Sequence, residues 1–199
     1  QYNLGTWYFD FGSGYNVHEE LWDLFGRMRQ IRQQNPPTSF KPAAAIIFDE
    51  ASSLYLRGSN EVSKHFYEAA LDYPLMGAAF GRFLFSDVLK GRIPKETKVL
   101  FFMNCYKVSP EQRAELHARL AGSGRTAVWF YAPGLIDGAK AAAENIRLLT
   151  GIEVAPISHD RPVSFKLTRR FGDLAAGRAF GIHNQVPTLF GIVRGQPGI

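Results

Sequence analysis

The sequence predicts an α/β fold of three layers, in which an open, mostly parallel sheet carries helices on both faces. Short apolar runs alternate with amphipathic, helix-like segments between residues 43 and 151, and short loops join them. The apolar runs are nearly continuous, which is typical of parallel strands buried on both faces. Strand–helix–strand alternation of this kind favours a parallel sheet.

The first 42 residues follow a different pattern. "TWYFDF" (6–11) predicts a strand that leads into a glycine-rich loop, and His18–Gln34 predicts an amphipathic helix. Asn35–Pro42 contains three prolines, which break any helix and predict a linker. We therefore expect residues 1–34 and residues 43–199 to belong to different domains, joined by residues 35–42.

The α/β pattern begins with three apolar segments and one helix. Ala43–Glu50 predicts a buried parallel strand that ends in two acidic residues, and Ser59–Phe80 predicts a mostly helical segment. Arg82–Leu89 predicts a second strand, or a strand and a turn. Lys98–Asn104 is almost entirely apolar, so we expect a third, central strand there.

The next helix has the clearest boundaries in the sequence. In Ser109–Gly124, Ser109 is an N-cap residue, Pro110 occupies the first helical position and Gln112 completes a capping box. Gly122 and Gly124 predict the end of this helix.

The remaining elements change from parallel to antiparallel character. Thr126–Gly134 predicts a fourth strand that runs into a tight turn, and Ala139–Gly151 predicts a helix with Gly151 beyond its end. After that, the short, alternating segments "EVAPIS", "VSFKLT" and "TLFGIVRG" predict additional, antiparallel strands.

Polar side chains follow several of the predicted parallel strands. Ligands of open α/β sheets bind beyond the carboxyl ends of the strands. The candidate contacts at this edge are Asp49, Asp87, Asn104 and Tyr131. The competing interpretation is that strand ends carry polar residues for structural reasons alone.

Cys105 is the single cysteine of the chain and raises the question of a nucleophile. A nucleophile elbow needs small residues two positions before and after the nucleophile, where this chain has Met103 and Lys107. The following helix begins five residues later, too far for its N-terminus to lower the pKa of the thiol. We therefore favour a packed thiol over a cysteine-dependent hydrolase or amidotransferase, which stays an alternative.

Composition and charge limit the kinds of partner and location that we expect for this protein. The net charge is +5, from 23 basic and 18 acidic residues, but no basic stripe with interleaved aromatic residues is present, so we expect no nucleic-acid partner. The apolar runs are too short for a membrane span, and no signal peptide is visible. The spacing of the histidines indicates no metal site, and we expect no cofactor. The compartment stays open.

Four segments, in order, resemble a known family. They are "TWYFDFGSGYNVHEELWDLFGRMRQIRQ", "AAIIFDEASSLYL", "RFLFSDVLKGRIPKETKVLFFMNCYKVSPEQR" and "TAVWFYAPGLID". Together they resemble multidomain glycoside hydrolases of the beta-galactosidase type, where the end of the catalytic barrel joins a trimerisation domain. That domain resembles class I glutamine amidotransferases, with a flavodoxin-like fold, but generally lacks their catalytic cysteine. The resemblance covers about residues 2–155.

The resemblance implies a role for each part of the chain. Residues 1–34 would be the last strand and helix of a catalytic barrel, so that Trp7 and Asp10 would be possible sugar contacts, and the chain would be an excerpt of a longer protein. A complete barrel needs about 250 residues, so the catalytic carboxylates would lie upstream.

Three functions follow from these observations. The first is a non-catalytic accessory and oligomerisation domain of a bacterial glycoside hydrolase, which forms homo-oligomers and helps to shape the sugar cleft. The second is a binding module for a glycan or another small ligand at the strand ends. The third is an enzyme that depends on Cys105.

Overall fold

The computed structural model describes residues 18–35, 41–55, 77–138, 140–158, 162–185 and 188–194. The chain divides into two compact units, Gln1–Phe40 and Lys41–Ile199. Trp7, Asp10 and the strand predicted at residues 6–11 lie outside the described residues.

The described part of the first unit is one helix, α1 (Glu19–Gln34), which confirms the helix predicted from His18 to Gln34. Acidic side chains in its first turn and Arg32 in its last turn complement the helix dipole. None of its residues is buried. Several large apolar side chains are exposed along it, namely Trp22, Leu24, Met28 and Ile31.

The second unit is built on a four-stranded parallel sheet with the strand order β2-β1-β3-β4. The strands are β1 (Ala44–Phe48), β2 (Phe80–Leu84), β3 (Val99–Phe102) and β4 (Thr126–Trp129). β1 and β3 occupy the interior positions, which explains their almost uninterrupted apolar sequences. The predicted α/β class and the central position of the third strand are confirmed.

Helices cover one face of this sheet. Ala45, Ile47, Leu100 and Phe102 point to this face and form one core with apolar residues of α3 (Phe85–Leu89) and α4 (Pro110–Leu120). A second core lies on the opposite face, around Ile46, Phe80 and Met103. The central sheet therefore contributes to a core on each side.

The N-terminus of α4 has the capping box that the sequence predicts. The backbone N–H of Gln112 donates to Ser109 Oγ at 3.2 Å, and the backbone N–H of Ser109 donates to Gln112 Oε1 at 2.9 Å. Pro110 occupies the first turn, where the missing N–H has no helical partner to lose. The helix ends at Leu120, before Gly122 and Gly124, whose φ angles are positive.

Two predicted boundaries around the second strand need correction. Most of the helix predicted at Ser59–Phe80 lies outside the described residues, but Phe80 is the first residue of β2 and pairs with Ala44. Arg82–Leu89 is divided after Leu84, because residues 85–89 form the one-turn helix α3. Pairing with the interior strand β1 overrides the local helical pattern at Phe80.

The helix predicted at Ala139–Gly151 begins later than expected. Lys140 and Ala141 form the short strand β6, which pairs with β5 (Ile136–Asp137), and the helix α5 spans Ala143–Thr150. The Asn145 side-chain amide donates to the carbonyl oxygens of Leu135 and Lys140 at 3.0 and 3.2 Å. These bonds stabilise the hairpin of β5 and β6, so residues 140–142 do not form a further helical turn. Gly151 has a φ of 76° and ends the helix as predicted.

The C-terminal strands are antiparallel, as the alternating sequence predicts. β7 (Glu153–Ser158) pairs with β10 (Thr188–Arg194), and β8 (Pro162–Lys166) pairs with β9 (Ala179–Gln185). The strand β9 was not among the predicted elements. Within the part of the chain that the structure describes, no helix is long and apolar enough to cross a membrane.

Candidate functional site

Asp49 and Asn104 meet at the carboxyl edge of the sheet, which we define as the residues that follow β1, β2, β3 and β4. The Asp49 amide donates to Asn104 Oδ1 at 2.7 Å, and Asn104 Nδ2 donates back to the Asp49 carbonyl oxygen at 2.9 Å. Asn104 Nδ2 also donates to Ser53 Oγ at 3.1 Å. Asn104 is 7% exposed, and both the oxygen and the nitrogen of its side-chain amide join the ends of the interior strands β1 and β3.

Asp49 uses one carboxylate oxygen to cap the one-turn helix α2 (Glu50–Ser53). Its Oδ2 accepts from the Ser52 amide at 3.0 Å and from Ser52 Oγ. Ser52 is fully buried, and its Oγ also accepts from the Lys107 amide at 2.9 Å. The segment after β1 is thus fixed to the segment after β3 at two points, through Asn104 and through Ser52.

Asp87 lies in α3, directly after β2, and bonds to Leu84 and Arg92. Its Oδ2 accepts from the Leu84 amide at 3.1 Å, and its Oδ1 forms an ion pair with Arg92 Nη1 at 3.2 Å. The carboxylate therefore stabilises the first turn of α3.

Tyr131 joins the parallel sheet to the C-terminal strands. Its φ of 61° is unusual for a residue with a side chain, and its ring makes edge contacts with Tyr106 and Phe190, with centroids 5.9 Å apart in each case. Its hydroxyl group donates to the Thr188 carbonyl oxygen at 3.2 Å. Partial burial raises the pKa of Tyr131. These contacts suit a packing role at the junction with β10.

Of the four candidates that the sequence places at the strand ends, the structure joins Asp49 and Asn104 directly. Asp87 and Tyr131 bond to other groups. Ligand binding by these four residues, and by Trp7 and Asp10 outside the described part, stays a prediction.

Two further residues of this edge escaped the sequence analysis. Lys107 Nζ donates to Tyr55 Oη and lies 4.7 Å from the centre of the Tyr55 ring, as a cation–π pair. The Tyr55 ring is 48% exposed. The signal available in the sequence was an aromatic residue seven positions after the end of β1, but its pairing with Lys107 depends on the fold.

Cys105 is a packed core residue. It is 1% exposed and belongs to the core beneath α3 and α4. Burial raises the pKa of the thiol well above its usual value, and the nearby carboxylate of Asp49 raises it further. A nucleophilic cysteine requires the opposite shift and an open approach, so the preference for a packed thiol is confirmed.

We expect the buried thiol to make the protein less stable in alkaline solution. Above about pH 8.5, the thiol ionises in the unfolded chain while it stays protonated in the folded one, so stability falls as the pH rises. For this group alone, the loss approaches about 1.4 kcal/mol per pH unit. Urea unfolding at pH 8 and pH 10 measures it, because Cys105→Ala removes this contribution. Equal pH dependence in both proteins would contradict the expectation.

Among the described residues, no group of three or more histidine, cysteine, aspartate or glutamate side chains is arranged to hold a metal ion.

Comparison with known proteins links the fold to solved beta-galactosidases. No family model matches the sequence, and neither does any curated protein. A beta-galactosidase from Bacillus circulans sp. alkalophilus superposes with a TM-score of 0.56 and 18% identity, over 87% of this chain and 27% of that chain. A catalytic mutant of Gan42B, a GH42 beta-galactosidase from G. stearothermophilus, gives a TM-score of 0.54 and 16% identity, over 87% and 25%. The shared feature is the fold, and this chain spans about a quarter of the length of each.

Proposed function

We propose that this chain is a non-catalytic accessory domain of a larger bacterial glycoside hydrolase of the beta-galactosidase type. In this role it mediates homo-oligomerisation and helps to shape the sugar cleft. The observation that carries the proposal is the fold match: 87% of the chain superposes on about a quarter of two beta-galactosidases. A segment of this size is a part of those chains, and the same relation is proposed here.

The chemistry of the carboxyl edge supports an accessory role over a catalytic one. Asn104 and Asp87 use their polar groups to join strands and to cap a helix. Cys105 is buried, and burial raises the pKa of its thiol, which argues against the alternative of a cysteine-dependent enzyme.

The first unit supports the proposal in a different way. Residues 1–34 are proposed to be the last strand and helix of a catalytic barrel, and the resemblance of "TWYFDF" and the following helix suggested this. α1 is amphipathic yet has no buried residue, and on its apolar side Leu24 is 47% exposed and Ile31 54% exposed. An exposed apolar stripe of this kind suits packing against a neighbouring element of a barrel.

Oligomeric state tests the proposal. We expect light scattering after size-exclusion chromatography to give a defined oligomer over a range of protein concentrations. The exposed stripe of α1 could also cause non-specific association, so the double variant Leu24→Ser/Ile31→Ser is the informative comparison. Assembly through the α/β unit should persist in this variant.

The control is Gln30→Ser, which alters the polar side of the same helix. Loss of the oligomer in the double variant but not in the control would assign association to α1 and contradict assembly through the α/β unit. A monomer in every variant at high concentration would contradict the oligomerisation role as a whole.

A second candidate function is a binding module for a neutral glycan. The observation that favours it is the half-exposed Tyr55 ring with Lys107 at the carboxyl edge, where open α/β sheets bind their ligands.

A further inference from the structure

We propose that Asp49, Tyr55 and Lys107 form a binding site for a neutral saccharide, and we refer to these three residues as the Tyr55 site. The inference rests on the second candidate function, the binding module, and is independent of the accessory role. It assigns the ligand class and the residues that hold it.

The Tyr55 site is held by hydrogen bonds that converge on the buried Ser52. Ser52 Oγ donates to Asp49 Oδ2 and accepts from the Lys107 amide, and the Tyr55 amide donates to the Ser52 carbonyl oxygen at 3.1 Å. The Lys107 ammonium group closes the ring by donating to Tyr55 Oη. Three side chains from two segments are thereby fixed relative to one another, which lowers the entropy lost when a ligand binds.

Each member of the site keeps some capacity to bind a ligand. Within the described residues, Asp49 Oδ1 makes no hydrogen bond, while Oδ2 is occupied by Ser52. Lys107 Nζ makes one hydrogen bond and retains two N–H groups, and the Tyr55 hydroxyl proton is available because that oxygen accepts from lysine. The site therefore offers one acceptor, several donors and a half-exposed aromatic ring.

The charges around the site select against an anionic ligand and suit one with many hydroxyl groups. The carboxylates of Asp49 and the exposed Glu50 outnumber the single Lys107 ammonium group, so an anion is disfavoured. A saccharide hydroxyl both donates and accepts, so different hydroxyl groups of one sugar can bond to the carboxylate and to the ammonium group. The apolar C–H face of a sugar ring can pack on the exposed part of the Tyr55 ring.

Amide chemical-shift titration of the ¹⁵N-labelled 199-residue chain tests the site. The probes are galactose and lactose, compared with galacturonate as an anionic analogue. We expect shifts at residues 49–55 and 104–107 with the neutral sugars, with a Kd on the order of millimolar because the site is shallow. Galacturonate should bind at least about fivefold more weakly, because its carboxylate is repelled by Asp49 and Glu50.

Substitutions separate this site from general surface effects. Tyr55→Ala should abolish the shifts, and Lys107→Met should weaken binding about fivefold or more, as expected when a charged hydrogen-bond donor is lost. The control Leu54→Ala alters an exposed residue next to Tyr55, and the control Lys95→Met removes an exposed lysine that precedes β3, away from the site. Both should leave binding unchanged. Tyr55→Phe keeps the ring and should retain measurable binding. Binding by this variant would show that the loss in Tyr55→Ala comes from removal of the ring.

The negative outcomes are distinct. Absence of shifts with every sugar would overturn both the Tyr55 site and the binding-module function, while a stable oligomer in the same sample would leave the accessory role intact. Shifts confined to other parts of the chain would overturn the Tyr55 site alone. Binding that survives Tyr55→Ala in a folded variant would do the same.

Discussion

Replacing Phe102 with alanine is expected to lower the free energy of unfolding by about 3–5 kcal/mol. Phe102 is fully buried on the interior strand β3. Its ring stacks on Trp129 with centroids 4.3 Å apart, and it makes an edge contact with Phe85 at 6.3 Å. The substitution removes these contacts and leaves a cavity between the sheet and α3. Because a domain is stable by about 5–15 kcal/mol, a loss of this size is a large fraction of the total.

The neighbouring residue provides the control for this prediction. Phe101 lies on the same strand, faces the opposite side of the sheet and is partly exposed. Phe101→Ala removes the same number of atoms, but less of their surface is buried, so the loss should be smaller. Urea unfolding followed by circular dichroism measures both variants. An equal or greater loss for Phe101→Ala would contradict the expectation that the core under α3 and α4 contributes more to stability than the opposite face.

The fold was predictable where local signals and tertiary pairing agree. Ser109, Pro110 and Gln112 specify the start of α4 through contacts within four residues, so the sequence is sufficient there. The apolar run at residues 98–104 identifies an interior strand because both of its faces are buried. Agreement of local and global preferences is the general condition for such success.

Prediction failed where distant groups decide the local structure. The alanine-rich residues 139–142 have high helix propensity, yet Ala142 donates its amide to the Leu135 carbonyl oxygen at 3.0 Å and the chain forms a hairpin. Phe80 is drawn into β2 by pairing with Ala44. Ala44 is 36 positions from Phe80, and Leu135 lies across a turn from Ala142, so neither contact follows the three-to-four-residue period of a helix.

The candidate site was also predictable in part: the sequence indicated which residues meet, but not which groups they bond to. The rule that parallel strand ends meet at one edge placed Asp49 and Asn104 together. It could not specify which groups they bond to, because an amide side chain can serve a ligand or a backbone equally well. The two residues are 55 positions apart, and their mutual hydrogen bonds decide in favour of the backbone. Tyr55 and Lys107 were missed for the same reason, since their pairing depends on α2 and on the turn after β3.

The second large effect concerns Asn104. We expect Asn104→Ala to lower the free energy of unfolding by about 2–4 kcal/mol, because it leaves the amide and the carbonyl group of Asp49 without their partner in a partly buried place. The same substitution removes one of the two connections between the segments after β1 and β3. We therefore also expect the amide resonances of Tyr55 and Lys107 to shift in the absence of any ligand.

The outcome separates a structural role for Asn104 from a role in binding. Asn35 is the control, because its side chain is exposed and donates to a backbone carbonyl oxygen four residues away, so Asn35→Ala should cost less than about 0.5 kcal/mol. If Asn104→Ala lowered the free energy of unfolding as little as Asn35→Ala but weakened saccharide binding, Asn104 would be a ligand contact and its bonds to Asp49 would matter little for stability. If it is strongly destabilising, the carboxyl edge is held together by Asn104 itself, and ligand recognition there depends on the side chains that this residue keeps in position.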